Sequence, residues 1–245
     1  MILSRNRLFA LMFRIAASLI GIFGIVVMTI GGSPALMAVY YTMQTNVFTV
    51  LLFLVLAVRS AVQMAKEGKI GEVAGVNPVV HAGITFYIMI TFVGYWALLS
   101  WQKFSMGNTG TIAVLTTIGN YVVHGVIPLM ALADWILFVP HGKLRPNAAL
   151  LWLIYPVLYA VFIFVRADLG APLYGSTRYP YPFVDVDLLG GYVVLTVAAL
   201  AAAFYGLGRL TVFADRKIAA ALTKRHGAVG RKPIEPPTEE ADKGE

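Results

Sequence analysis

Six apolar runs, each about as long as a bilayer is thick, limit what this chain can fold into. A helix needs roughly 20 mostly apolar residues to cross the hydrocarbon. Runs of that kind occupy residues 8–30, 36–62, 81–100, 112–139, 148–165 and 188–210. Backbone groups in lipid must be satisfied within their own segment, so the runs predict an all-α integral membrane bundle of six transmembrane helices. The first run exceeds a signal-peptide core and has no small-residue cleavage site after it, so it reads as a retained helix. Breakers separate the runs: Gly31-Gly32-Ser33-Pro34, a polar stretch from Lys66 to Pro78, a basic loop from Pro140 to Asn147, and a long connection over 167–187. Tyr155-Pro156 predicts a kink in the fifth span.

Composition agrees. Hydrophobic residues make up 59% and charged residues 13%, about half the charge of a soluble domain. An ordinary soluble enzyme and a disordered chain are thereby excluded. With no cysteine, thiol nucleophiles, disulfides and Cys-ligated metals are excluded too.

The net charge of +7 is a matter of topology. An even number of spans puts both termini on one side. Fourteen Lys and Arg fall on that side and three, Lys103, Arg166 and Arg178, on the other. The positive-inside rule then predicts cytoplasmic termini and a multi-pass location, expected to be a bacterial plasma membrane. Residues 1–212 form the expected transmembrane domain. Residues 213–245 form an expected tail, first basic and then, after about Arg225, Pro/Glu-rich and disordered. The basic stretch suits anionic lipid. No nucleic-acid motif accompanies it, and no internal repeat of the kind common in transporters is visible.

Ionisable groups in hydrocarbon are costly and point to function or pairing. They are Arg14, Arg59, His124 and Asp134, with His81 and Arg166 at span ends. Arg59 and Asp134, both near the cytoplasmic ends of their spans, are expected to form a structural ion pair. Arg14 is expected to snorkel. At 1.5 Å per residue, Thr42 lies roughly 10 Å below the outer end of the second span and His124 roughly 15–18 Å down the fourth. Thr42, Thr45, Asn46, Asn120 and His124 can therefore meet in the outer half. An imidazole beside a hydroxyl makes a general base and a nucleophile, with Thr42 or Thr45 supplying the hydroxyl. Asn46 or Asn120 would steady an oxyanion or position substrate. The bland reading of the same residues is a His bonding between helices and threonines bonding their own i−4 carbonyls. No HxxxH or HExxH pattern occurs, and neither metal nor cofactor is expected.

The segment from Arg178 to Asp187, with two prolines and three aromatics, reads either as an interfacial anchor or as a lid whose Asp185 or Asp187 orients a cavity residue. Tyr95, Trp96 and Trp101 read as interface anchors.

Four separated motifs carry a resemblance over about residues 8–210: Tyr40-Tyr41-Thr42-Met43-Gln44-Thr45-Asn46; His124 with Pro128 and Asp134-Trp135; Tyr155-Pro156 with Tyr159; and Tyr179-Pro180-Tyr181-Pro182-Phe183 with Asp185 and Gly191-Tyr192. Together they resemble a bacterial family of six-span membrane proteins. That family is similar, more distantly, to the androgen-induced and androgen-dependent membrane hydrolases of animals, threonine hydrolases of fatty-acid esters of hydroxy fatty acids. The resemblance implies a nucleophile in the Tyr-x-Thr motif, here Thr42, and a catalytic His midway down the fourth span, here His124. Asn46 follows Thr42 by four residues, where the animal pattern has a shorter gap, which leaves Thr45 as the other possible counterpart.

The resulting expectation is an intramembrane ester hydrolase with a Thr nucleophile and a His general base, acting on a membrane lipid or another hydrophobic ester. The same polar residues also suit a non-enzymatic membrane protein that binds or transports a lipid or small molecule.

Overall fold

The computed structural model describes residues 5–101, 106–173 and 175–229, with side chains up to Lys224. The helices are α1 (Arg7–Gly31), α2 (Pro34–Val39), α3 (Tyr41–Glu67), α4 (Pro78–Leu99), α5 (Gly110–Phe138), α6 (Ala148–Leu169), α7 (Val186–Leu189) and α8 (Val193–Val229). Among the described residues, six segments are long and apolar enough to cross a membrane, the last of them combining α7 with α8. The chain is an all-α, multi-pass membrane protein. Among the described residues there is no strand, only a single antiparallel bridge between Asn6 and Ile70.

Local chemistry sets the helix starts. Asn6 accepts from Phe9 N at 3.0 Å and caps α1. Ser33 and Asn77 cap α2 and α4, each followed by proline at the first helical position, where a missing N–H costs nothing. Between α3 and α4, Arg7 gathers the chain. Its guanidinium donates to the carbonyls of Glu67, Gly68, Ile70 and Glu72. On the same side Asp215 of α8, itself buried, accepts from His141 Nδ1, Gly142 N and Leu144 N at 2.9–3.1 Å and ties down the loop after α5. In α6 the regular helix is interrupted at Trp152 and Leu153, so that Pro156 falls in the first turn of the segment that follows.

Small residues let the helices approach, as is common where no hydrophobic gradient drives packing. The buried stripe of α1 runs Ala10, Arg14, Ala17, Ser18, Gly21, Gly24. A Cβ on Gly24 would lie 2.7 Å from Val122 Cγ1 on α5, and one on Gly21 would collide with Val50 on α3. Gly24→Val is therefore expected to lower stability by about 1–3 kcal/mol, read as a lower melting temperature in detergent micelles.

Two sequence expectations fail at the end of the bundle that holds the basic loops. Asp134 does not pair with Arg59. Its carboxylate accepts from Arg14 Nε at 2.8 Å and Nη2 at 3.3 Å, with His81 Nε2 also 3.3 Å away. Arg14 further donates to Ser60 Oγ at 2.7 Å and Ala74 O at 2.9 Å. Helical phase explains the exchange: the buried face of α3 runs through Phe53, Leu56 and Ser60, and Arg59 lies off it and is exposed. Nor does Arg14 snorkel, because it sits on the small-residue stripe and is fully buried.

A third difference concerns the tail. Helix α8 continues past residue 212 to Val229, with Val212, Ala214 and Ile218 packed on the core, so no structural change marks residue 213. The disorder expected after about Arg225 gives way to helix as far as Val229, and the rest of that stretch, residues 230–245, lies outside the described residues.

Candidate functional site

The opposite half of the bundle contains a second polar cluster, separated from Arg14 and Asp134 by the fully buried Phe53, Ile88 and Ile127. Its first component is a break in the second span. Tyr40 is extended (φ −75°, ψ 132°) and ends α2 as it starts α3. The first N–H groups of α3 thus lie within the protein, where orphan donors need partners. Tyr159 of α6 spans the break, its hydroxyl accepting from Tyr41 N at 3.1 Å and donating to Val39 O at 2.9 Å. Gln44 donates to Ala38 O at 2.8 Å and accepts from the Tyr155 hydroxyl at 2.9 Å. These bonds place Thr42, the second residue of α3, at the positive end of a long helix dipole.

The second component is a π turn in α5, Val122–Val126, which contains His124. Ile127 N reaches back five residues to Val122 O, so Val123 O loses its α-helical partner. Pro128 has no N–H, so His124 O is also released. Both freed carbonyls find side chains: Asn46 Nδ2 donates to Val123 O at 3.0 Å, and Trp96 Nε1 donates to His124 O at 3.1 Å. The π turn is thereby fastened to α3 and α4.

Thr42 Oγ1 lies 3.1 Å from His124 Nε2. His124 Nδ1 lies 3.0 Å from Asn120 O. A carbonyl only accepts, so Nδ1 carries the hydrogen. Nε2 is then the bare nitrogen, and the threonine hydroxyl donates to it. On its face His124 meets Tyr95, whose ring is stacked 4.0 Å away with planes 22° apart. Asn120 Nδ2 donates to the Tyr95 hydroxyl at 2.6 Å. Tyr95 reaches this place through a second π turn, Tyr95–Leu99, at the end of α4.

Tyr181, from the loop between α6 and α7, completes the cluster. Burial pushes its phenol pKa up, while hydrogen bonds to the side chain and backbone of Thr42 and to Tyr159 act in the opposite direction. Its ring stacks on Phe183 and meets Tyr40 edge-on.

The other residues singled out from the sequence have different roles. Thr45 turns away from the imidazole, donating to Tyr41 O at 3.0 Å or Thr42 O at 3.1 Å and meeting Thr91 Oγ1 at 2.9 Å. Asn46 is fully buried and spends both amide hydrogens on carbonyls, Thr42 O at 2.8 Å and Val123 O at 3.0 Å. It clamps two helices together and has no hydrogen left for an oxyanion. Asn120 holds Tyr95 through its side chain and His124 through its carbonyl. Asp185 does not orient a cavity residue: its carboxylate caps α7, accepting from Asp187 N at 2.9 Å and Leu188 N at 3.2 Å. Asp187 pairs with Arg178.

Two cavities meet at this cluster. One, of about 340 Å³, runs between α4, α6 and α8 and is walled by apolar residues such as Val157, Ala160, Leu200 and Phe204. The other, of about 570 Å³, lies beneath Pro180 and Pro182 and is lined by Met28, Met37, Met43, Tyr40 and Asn120. Thr42, Tyr95, Leu99, His124 and Tyr181 belong to both. Among the described residues, neither cavity has a charged side chain in its wall.

Sequence reading assigned Tyr95 and Trp96 to interfacial anchoring and missed their part in this cluster. Pro128, four residues after His124, was the available signal, since it marks a carbonyl that needs another donor. No family model, curated protein or solved structure matches the chain.

Proposed function

We propose that this protein is an intramembrane hydrolase of lipid or fatty-acid esters, with Thr42 as nucleophile and His124 as general base and then acid. The observation that carries the reading is the 3.1 Å contact between Thr42 Oγ1 and the unprotonated Nε2 of His124, at the one place shared by an apolar cavity and a second chamber. A hydrogen-bonded base is what turns a weak hydroxyl nucleophile into a reactive one.

The steps follow from that contact. His124 Nε2 takes the hydroxyl proton as Oγ1 bonds to the ester carbon. The carbonyl electron pair moves onto oxygen and forms an oxyanion. Collapse of this intermediate breaks the bond to the alcohol oxygen, which leaves with the proton from Nε2. Water then attacks the acyl-threonine, gives a proton to Nε2, and releases a fatty acid as the proton returns to Oγ1. The Tyr181 hydroxyl and the N-terminal end of α3 are the donors beside Thr42. A substrate carbonyl oxygen would be placed against these donors. The acyl chain would occupy the apolar cavity and the alcohol portion the second chamber, consistent with a lipid partner drawn from a bacterial plasma membrane.

A long-chain fluorophosphonate tests the reading. It should label the purified protein in micelles, and Thr42→Ala should lose at least about 100-fold of the labelling rate while eluting and melting like the parent. Equal labelling of the two proteins would overturn the proposal.

A further inference from the structure

A buried imidazole that carries a proton during turnover usually has a carboxylate on its far nitrogen. His124 has none. Its Nδ1–H donates to the neutral carbonyl of Asn120. Of the acids at this end of the bundle, Asp185 caps α7, Asp187 pairs with Arg178, and Asp168 is exposed at the end of α6 and lines neither cavity. The groups facing the imidazole are Thr42 from α3, Tyr95 from α4, Tyr181 from the loop before α7 and Asn120 from its own helix. Tyr40, Tyr41 and Tyr159 are the remaining titratable groups in the two cavities, while α1 and α8 contribute none among the described residues.

What does lie against the imidazole is an aromatic face. The Tyr95 ring is 4.0 Å from the His124 ring and nearly parallel to it. It is fixed there by the 2.6 Å bond from Asn120 to its hydroxyl and by the π turn, in which Ser100 N donates to Tyr95 O at 2.8 Å. An interfacial anchor needs none of this fastening. The negative face of an aromatic ring attracts a cation within about 6 Å, more strongly when both are desolvated. Neutral imidazole gains little from the same contact, so the preference is for the protonated form.

We propose that Tyr95 is a positioning residue that stands in for the missing acid, its ring holding the imidazole in plane and stabilising the imidazolium that forms when Thr42 gives up its proton. The proton taken from Oγ1 resides on Nε2, the other hydrogen stays on Nδ1 and is donated to Asn120 O, and the positive charge offsets the oxyanion until the alcohol leaves. The catalytic consequence rests on the Thr–His reading above; the charge effect on His124 does not.

The test uses the full chain with Tyr95→Leu, Tyr95→Phe and Tyr95→Trp. The protonation of ¹⁵N-labelled His124 is titrated by NMR, with His124→Gln assigning the signal, and the pH profile of fluorophosphonate labelling is measured alongside. Loss of the ring destabilises the protonated form, so Tyr95→Leu should lower the His124 pKa by about one unit, move the acid limb of labelling to lower pH and slow the plateau about tenfold. Tyr95→Phe keeps the face and should stay within about threefold of the parent, and Tyr95→Trp, the stronger face, should titrate at or above Tyr95→Phe. If Tyr95→Leu does not fold, the order of the Phe and Trp variants decides. Equal His124 pKa values in the Leu and Phe variants, or a Trp variant below Phe, would overturn the proposal. Absence of labelling in the parent would remove the hydrolase reading while leaving the titration to judge Tyr95.

Discussion

Replacing His124 with alanine should slow fluorophosphonate labelling by about 10³-fold, within the range that a positioned general base contributes. The hydroxyl of Thr42 sits at the start of α3, where the helix dipole favours developing negative charge. That alone does not make it reactive, since its proton must still depart. Nε2 at 3.1 Å is the acceptor in place, and its availability depends on Nδ1–H being held by Asn120 O. The base works only when neutral, so labelling should fall as pH drops through the His124 pKa and level off above it. Labelling of His124→Ala at the parent rate, or a profile flat through the acid range, would leave the imidazole without a chemical role.

The largest structural effect is expected at the other polar cluster. Asp134→Ala should cost about 3–5 kcal/mol of stability, because it leaves the buried Arg14 guanidinium with no counter-charge. Arg14 has no exposed surface, and its remaining partners, Ser60 Oγ and Ala74 O, are neutral. Arg59→Ala should change stability by less than about 0.5 kcal/mol, as an exposed residue outside the network. Melting curves of both variants in the same detergent compare them directly. A large loss at Arg59 with little at Asp134 would contradict the assignment of the pair.

The six spans were legible because lipid imposes length and apolarity at once; the first five apolar runs match their helices closely, while the last helix runs well past its apolar run, to Val229. Pairing was less legible. Depth alone made Arg59 as good a partner for Asp134 as any, but phase decides partners. The stripe Ala10, Arg14, Ala17, Gly21, Gly24 already marks the inward face of α1. At the candidate site, counting residues placed Thr42 and His124 at compatible depths, and in the structure they touch. It could not choose between Thr42 and Thr45, because the break at Tyr40 fixes which hydroxyl faces α5. The places of Tyr95 and Trp96 depend on π turns, whose extra residue shifts a helix face and leaves little trace in periodicity. Pro128 and the tyrosines of the Tyr-Pro segments were visible signals whose meaning needed the fold.

The most direct measurement is the position of the covalent bond. Fluorophosphonate-treated protein, digested and fragmented in a mass spectrometer, should carry the phosphonyl group on Thr42 Oγ1, with none on Thr45 and almost none in His124→Ala. A group on Thr45 or any other residue, or equal modification in His124→Ala, would contradict a reaction run by Thr42 and His124.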